Sequence, residues 1–233
     1  MSKRFTIVVS ILAAGVSVSG AAFAEVTGNV GVTSNYLWRG VTQNDDRSAV
    51  QGGVDYEHDA GFYAGTWLSD LDGAYEHDVY AGFSGEAGAL GYDLGVNHYM
   101  YPLADDADFT ELYGSISYEA FTVGVAYTVN SDVQNDPAAA QPFMDGDLYY
   151  YAGAEFVLPD DFTLGLTVGA YTFDEDGEAG ADLDYMHYRI GLTKSAGDFG
   201  DFTFAFDQND LDGASNGKGN DDPRFSVAWN KSF

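Results

Sequence analysis

The chain has 233 residues, no cysteine, and 37 acidic against 9 basic side chains, which gives a formal net charge of −28. This composition excludes a disulfide framework. It also argues against nucleic acid as a partner, because nucleic-acid binding needs a basic surface. Apolar residues make up 45% of the sequence, which is too many for a disordered acidic chain.

The first 24 residues have the pattern of a secretory signal peptide. Lys3 and Arg4 precede a short apolar run, and the small-residue motif AFA follows at 22–24. This order of segments is typical of a cleaved signal. We therefore expect cleavage before Glu25 and a single mature domain over residues 25–233.

A membrane-spanning helix is not expected in the mature chain. The apolar run of the signal is shorter than the ~20 residues that a spanning helix needs, and no later run approaches that length. Since only helices and closed barrels satisfy every backbone group in lipid, a membrane-resident mature chain must be a barrel.

Alternation of apolar and polar residues begins at residue 26. Val30, Val32 and Trp38 share one parity, whereas Thr33 and Asn35 share the other. Successive side chains of a strand point to opposite faces, so this pattern predicts an amphipathic β-strand.

The same alternation recurs along the chain and predicts an all-β fold, an antiparallel transmembrane β-barrel of about twelve strands. Segment 62–69 has aromatic residues on both parities, so the sequence leaves its facing open. The predicted strands are 26–38, 50–57, 62–69, 75–84, 90–99, 109–118, 121–129, 147–156, 162–171, 184–194, 202–207 and 224–233.

The connections between these strands sort by length, as they do in outer-membrane barrels. The longer ones follow odd-numbered strands, with 70–74 as the one short exception, and the tight turns follow even-numbered strands. Both termini are therefore expected on the periplasmic, short-turn side. This predicts a protein of the outer membrane of a Gram-negative bacterium. Segment 130–146 is the longest connection, and the sequence leaves open whether it enters the lumen.

Two stretches near the N-terminus, SNYLWRGVTQ (34–43) and QGGVDYEHDAGFYAGTWLSD (51–70), resemble the TorF family of porin-like proteins, also classed as a proteobacterial family of unknown function. The resemblance implies an outer-membrane barrel and a suspected channel. The motif residues are Ser34, Asn35, Tyr36, Arg39, Gly40, Gln51, Gly52, Gly53, Asp55 and Tyr56.

The closing segment VAWNKSF (227–233) resembles the end of that family and the C-terminal signature of outer-membrane proteins. The resemblance implies that the barrel assembly machinery reads this strand. Lys231 departs from the signature by placing a charge where an aromatic residue is commoner. The matching residues are Phe225, Val227, Trp229 and Phe233.

Acidic residues dominate the predicted lumen, where Arg189 is the one clear mid-strand cation. Arg189 either faces Asp93, Glu111 or Glu155 across a narrow pore, as half of a constriction, or neutralises an acid inside the lumen in a salt bridge. The same structural role is expected of Arg39 and Arg224. Arg39 and Arg224 are expected near the outer mouth. The lumen or constriction candidates are Arg189, Asp55, Asp78, Asp93, Glu111, Glu155, Tyr149 and Tyr151.

Six tyrosines also share the lumen parity, and they could either stack on solutes or fill a narrow barrel: Tyr80, Tyr99, Tyr113, Tyr149, Tyr151 and Tyr171. The acidic loop 174–184 could bind divalent cations weakly, but it lacks the EF-hand spacing. A solvated acidic surface explains it equally well. No cofactor and no defined metal site are predicted.

An enzyme is the least favoured interpretation. A barrel hydrolase needs a hydroxyl nucleophile beside a histidine. Of His58, His77, His98 and His187, only His187 has lumen parity away from the turns, and no serine at its level can be identified.

The favoured function is therefore a passive channel for small solutes that prefers cations or neutral molecules to anions. The alternative is a plugged structural barrel with acidic surface loops and no transport. Outer-membrane lipid, the assembly machinery and small solutes are the expected partners, whereas the solute and the oligomeric state stay open.

Overall fold

The computed structural model describes residues 25–133, 142–174, 183–211, 214–215, 218–219 and 221–233. The signal peptide predicted for residues 1–24 and most of the acidic loop 174–184 lie outside these ranges. Within them, no helix is both long and apolar enough to cross a membrane.

Twelve strands of the described chain close into an antiparallel barrel, which confirms the predicted fold. Each barrel strand pairs with its neighbours along the chain, and the first strand closes the ring against the last, with Asn29 opposite Ser232. The barrel strands are β1 Glu25–Thr33, β4 Ala49–Glu57, β5 Phe62–Asp70, β6 Tyr75–Ala87, β7 Leu90–Met100, β8 Phe109–Tyr118, β9 Phe121–Ser131, β10 Leu148–Leu158, β11 Phe162–Thr172, β12 Tyr185–Ser195, β13 Asp201–Asn209 and β16 Arg224–Ser232.

Two short strand pairs lie in the connections. β2 (Leu37–Trp38) pairs with β3 (Val41–Thr42), and β14 (Ala214–Ser215) pairs with β15 (Lys218–Gly219). A single 3₁₀ turn, Gly197–Phe199, connects β12 to β13.

The two faces of the barrel wall differ in character, as the alternation predicted. Val123 on β9 points outward and is 57% exposed, whereas Thr128 on the same strand points into the lumen and is fully buried. The facing of β5 is now fixed, because Phe62 and Leu68 are exposed outside while Trp67 and Ser69 are buried inside. The outer face is thus an apolar belt suited to lipid.

Connections of different length lie at opposite ends of the barrel. We call the end with the tight turns and both chain termini the turn end, and the end with the longer connections the loop end. The amide of Gly28 and the carbonyl of Phe233 pair near the turn end. The periplasmic orientation of the turn end stays a prediction.

The first strand is shorter than predicted. β1 ends at Thr33 instead of continuing to residue 38, and residues 34–48, which we call the inner loop, fold back into the barrel. Asn44 holds the fold-back: its side chain accepts from the amide of Tyr36 (3.2 Å) and donates to the carbonyl of Arg47 (2.5 Å). Hydrogen bonds of this kind, between a side chain and the backbone, take the place of the hydrogen bonds between strands and so end a strand.

Candidate functional site

The inner loop reaches different parts of the barrel wall and so crosses the lumen at the loop end. The Tyr36 hydroxyl donates to Glu76 on β6 (3.0 Å), and the Asn209 amide on β13 donates to the carbonyl of Gly40 (2.7 Å). Arg39 bonds to Glu111 on β8. β6 and β8 flank β7 on one side of the barrel, and β13 lies on the opposite side. The loop therefore forms a partition across the lumen.

Arg39 and Glu111 form a bidentate ion pair at the centre of this partition. The two guanidinium nitrogens donate to the two carboxylate oxygens at 2.8 and 2.7 Å, and the side chains are only 10% and 2% exposed. Tyr99 and Tyr171 donate to the same carboxylate at 3.1 and 3.3 Å. Every acceptor site of Glu111 is therefore used, which offsets the cost of burying the charges.

Aromatic rings enclose the guanidinium of Arg39. Its carbon lies 4.1 Å from the ring centres of Trp38 and Tyr149 and 5.0 Å from that of Tyr171. Such contacts strengthen when water is excluded. Burial lowers the pKa of the Arg39 guanidinium, but the negative charge of Glu111 is the main influence that raises it. As a result this pKa lies well above its usual value. We call Arg39, Glu111, Trp38, Tyr149 and Tyr171 the Arg39 cluster.

The backbone at Arg39 and Gly40 directs this side chain inward. Arg39 has φ +48° and Gly40 has φ +81°, a left-handed conformation that is rare for residues with a side chain. A Cβ on Gly40 would lie 2.5 Å from the Cβ of His187. The position therefore needs glycine both for its dihedral angle and for the close approach to β12.

Further aromatic residues fill the loop end of the lumen around the cluster. Phe109 stacks on Phe143 with ring centres 4.8 Å apart, and Phe143 also contacts Trp38. Phe143 belongs to the connection 130–146, whose entry into the lumen was left open. Its residues 134–141 lie outside the described ranges, but its C-terminal end packs against the lumen aromatics.

Two more carboxylates are buried beside the inner loop. Glu76 and Asp78 on β6 are 2% and 5% exposed, and Glu76 accepts from the hydroxyls of Tyr36 and Tyr101. Burial, and then the charge of Glu76, raises the pKa of both of these tyrosines well above its usual value. Their hydroxyls therefore stay protonated and act as donors.

The turn-end half of the lumen is built differently. Asp55 accepts from Tyr80 and from Asn29 (3.1 Å), and Asp93 accepts from Tyr63 (2.7 Å), whose hydroxyl also bonds to Tyr113. Its described lumen acids are only half-buried, including Glu155 on β10. Tyrosines instead of arginines donate to Asp55 and Asp93.

Arg189 lies in the lumen but does not face the acids across the pore. It donates to both oxygens of Asp207 at 2.8 Å, and the two residues are directly opposite on β12 and β13. Asp93, Glu111 and Glu155 are therefore not its partners. This geometry matches the salt-bridge interpretation and not a constriction.

The other arginines expected at the mouth also have structural contacts. Arg224 on β16 donates to Asp46 of the inner loop at 2.9 Å, while Arg39 lies inside the lumen. The sequence analysis gave Arg39 a structural role like that of Arg189, as a partner of an acid, but it missed the position of Arg39 inside the lumen. The signal that could have found it is the glycine that follows it, because Arg-Gly favours a turn in a stretch that otherwise alternates as a strand.

The motif residues near the N-terminus divide into two groups: those at 34–40 belong to the inner loop, and those at 51–56 lie on β4. Ser34 exchanges hydrogen bonds with the backbone of Val227, which ties the loop to β16. A Cβ on Gly53 would lie 2.4 Å from the carbonyl of Thr66, so this glycine permits close strand packing. A Cβ on Gly52 would likewise come too close to the backbone of the neighbouring strand β1. Gln51 and Asn35 are buried polar residues, whereas Tyr56 points outward.

The C-terminal signature residues lie mostly on the outer face. Phe225, Val227 and Phe233 are exposed there, and the Trp229 indole donates to the carbonyl of Phe199 (2.8 Å). Lys231 donates to the carbonyl of Asp198 at the turn end. Recognition of this strand by the assembly machinery stays a prediction.

His187 is buried in the lumen, where its Nε2 pairs with the hydroxyl of Tyr149 at 2.9 Å and not with a serine. His77 and His98 bond to threonines, Thr66 and Thr110. Across the described residues, no group of three or more His, Cys, Asp and Glu side chains could hold a metal ion.

Comparison with solved structures finds similar barrels among porins. A structure titled "KdgM porin" has a TM-score of 0.57 at 8% identity and covers 89% of this chain and 99% of its own. A structure of the NanC porin has a TM-score of 0.59 at 13% identity and covers 88% of this chain and 98% of its own. At these identities the similarity shows the fold alone.

Sequence comparison adds the family. No curated protein matches the sequence, and the narrower TorF name stays a prediction. The family model described as "Bacterial protein of unknown function (Gcw_chp)" matches residues 17–232. The chain therefore belongs to the Gcw_chp family.

Proposed function

We propose that this protein is a porin-like channel of the outer membrane, through which small solutes diffuse passively, with cations or neutral molecules favoured over anions. The observation that carries the proposal is the imbalance of charge on the lumen wall. Arg39 and Arg189 are each matched by an acid. No ion pair with a basic side chain is found in the described chain for the lumen acids Asp55, Glu76, Asp78, Asp93 and Glu155.

This imbalance supports cation preference on electrostatic grounds. A narrow passage with low-dielectric walls focuses the field of its charges, and rings of carboxylates select for cations. The half-buried acids of the turn-end half can act on passing ions directly. The porin titles of the structurally similar barrels support a channel but say nothing about this charge preference.

The inner loop supports the restriction to small solutes. A twelve-stranded barrel lies between the side-chain-filled eight-stranded type and the open sixteen-stranded type, and here the Arg39 cluster occupies the loop end. A solute must pass beside the cluster or displace it. Large solutes are therefore expected to be excluded.

The test is single-channel recording of refolded residues 25–233 in planar bilayers, with the reversal potential measured across a KCl gradient. Discrete steps with a cation-selective reversal potential are expected. Anion selectivity would overturn the charge preference, and a folded barrel that gives no steps would overturn the channel itself.

A plugged structural barrel is the second candidate, and the partition formed by the inner loop favours it. Liposome swelling in small neutral sugars separates the two functions. A plugged barrel leaves the sugar permeability at the level of protein-free vesicles, whereas a channel raises it.

A further inference from the structure

Glu76, Asp78 and Asn97 lie together on the lumen wall, beside the Arg39 cluster but outside it. Glu76 and Asp78 are two residues apart on β6 and so point to the same face, and the Asn97 amide on β7 approaches Asp78 at 3.5 Å. Asn97, like the two carboxylates, is buried, with 2% of its surface exposed.

These groups have too few partners for their burial. One oxygen of Asp78 and the side-chain oxygen of Asn97 have no hydrogen-bond partner. The other Asp78 oxygen has only the long contact to Asn97. Within the described ranges, no lysine, arginine or histidine forms an ion pair with Glu76 or Asp78. The arginine of the neighbouring cluster, Arg39, is bonded to Glu111 instead. An uncompensated buried carboxylate is costly.

We infer that Glu76, Asp78 and Asn97 form a binding site for one divalent cation of the Ca²⁺ type. Hard cations take carboxylate and amide oxygens as ligands, and the two acceptor atoms without partners supply two such oxygens. One divalent ion would balance the two carboxylates. Because the protein supplies few charged ligands, water completes the shell and the expected dissociation constant is about 10⁻⁴–10⁻³ M.

The site has a consequence for the inner loop. Glu76 accepts from Tyr36 of that loop, so a cation that fixes Glu76 also stabilises the partition across the lumen. The inference goes beyond the proposed channel, because it holds equally for a plugged barrel. A binding measurement that needs no conductance therefore tests it separately.

The experiment uses Tb³⁺ as the luminescent probe and Ca²⁺ as its competitor, on the refolded barrel in detergent micelles. Nearby tyrosines, including Tyr36 and Tyr101, sensitise the emission of a bound ion. The site variant is Asp78→Asn, and its matched control is Asp93→Asn, which removes a lumen acid at the turn end. We expect Asp78→Asn to weaken the Ca²⁺-competed component about tenfold or more, because affinity follows the ligand charge.

Two further variants make the outcome decisive. Asn97→Asp adds a third carboxylate and should tighten binding, whereas Glu76→Gln repeats the test if Asp78→Asn fails to fold, as judged by circular dichroism. Equal Tb³⁺ binding by the wild type and Asp78→Asn would assign the ions to the outer acidic loops and overturn the site. A wild-type Tb³⁺ signal that Ca²⁺ does not compete would also overturn it, since these residues would then not bind a cation of the Ca²⁺ type.

Discussion

The two halves of the lumen both contain carboxylates, but they satisfy them differently. At the loop end, Glu111 and Asp207 are almost fully buried, and each binds an arginine through two hydrogen bonds. At the turn end, Asp55 and Asp93 are half-buried and accept from tyrosines. For these four acids the depth of burial goes with the kind of partner. Glu76 and Asp78 are the exceptions, since they are buried at the loop end and no arginine of the described chain pairs with them. The inferred cation would supply the missing charge.

Electrostatics explains this difference. A carboxylate that still touches water keeps part of its hydration, so a neutral donor is enough, whereas a fully buried one needs a counter-charge and complete hydrogen bonding. Substitutions at the loop end should thus act mainly on folding, and substitutions at the turn end mainly on permeation.

The largest expected effect is that of Arg39→Ala. It leaves Glu111 buried without its counter-charge, and breaking a buried pair in this way costs about 3–5 kcal/mol. The measurement is the free energy of unfolding by urea in lipid vesicles. The control is Arg47→Ala, because Arg47 belongs to the same loop but pairs with Asp72 on the surface, where ion pairs contribute about 0–1 kcal/mol.

Simultaneous replacement of both partners sharpens this result. The double variant Arg39→Met, Glu111→Leu removes both buried charges, so it should recover much of the stability that Arg39→Ala loses. If Arg39→Ala is no more destabilising than Arg47→Ala, the buried ion pair contributes no more than a surface pair. The two halves of the lumen would then not differ in how strongly they depend on their partners.

The next effect is that of Gly40→Ala at the tip of the inner loop. The new Cβ would clash with His187 and strain a left-handed backbone, which together should destabilise the barrel by about 1–3 kcal/mol. Gly73→Ala is the matched control, because Gly73 has a similar φ of +75° and no atom within 4 Å of the added Cβ. The difference in unfolding free energy between the variants isolates the contact of the loop with β12.

Local patterns predicted the barrel but not the partition. Strand alternation has a period of two residues and needs no knowledge of distant contacts. The twelve strands followed from it, as did their facing except for that of β5. Tyr36 and Trp38 continue the parity of β1 in sequence, and this extended the predicted strand too far. Their inward position depends on Glu76 and Glu111, which are distant in sequence.

The partner of Arg189 was, by contrast, within reach of the sequence. A hairpin that is symmetric about the turn between β12 and β13 places residue 207 opposite residue 189, as observed. Lumen parity alone pointed to the more distant acids Asp93, Glu111 and Glu155. Adjacent-strand register is thus a better guide to a salt bridge inside a barrel than parity alone.

A smaller effect is expected from pH at the loop end, outside the barrel strands. Burial raises the pKa of Asp147 to about 6, although the amides of Asp174 and Met144 donate to it. The folded state therefore binds this proton more tightly than the unfolded state, and the contribution of Asp147 to stability improves as the pH falls from about 6 towards the ordinary value of 3.8.

Asp147→Asn should remove this component from the pH dependence of the unfolding free energy. The comparison is with Asp59→Asn, which changes an exposed turn residue. A wild-type slope between these pH values that Asp147→Asn leaves intact would show that other groups cause it.

The smallest effect on stability, and the clearest on permeation, is expected from Asp93→Asn at the turn end. The asparagine oxygen can still accept from Tyr63, so the unfolding free energy should change by no more than about 1 kcal/mol. Loss of a half-exposed lumen charge should shift the reversal potential across a KCl gradient towards lower cation selectivity. Asp70→Asn is the control, because Asp70 is exposed at the end of β5 on the outer face. If both variants shift the potential equally, the turn-end lumen does not set the selectivity, and permeation depends on surface charge as a whole.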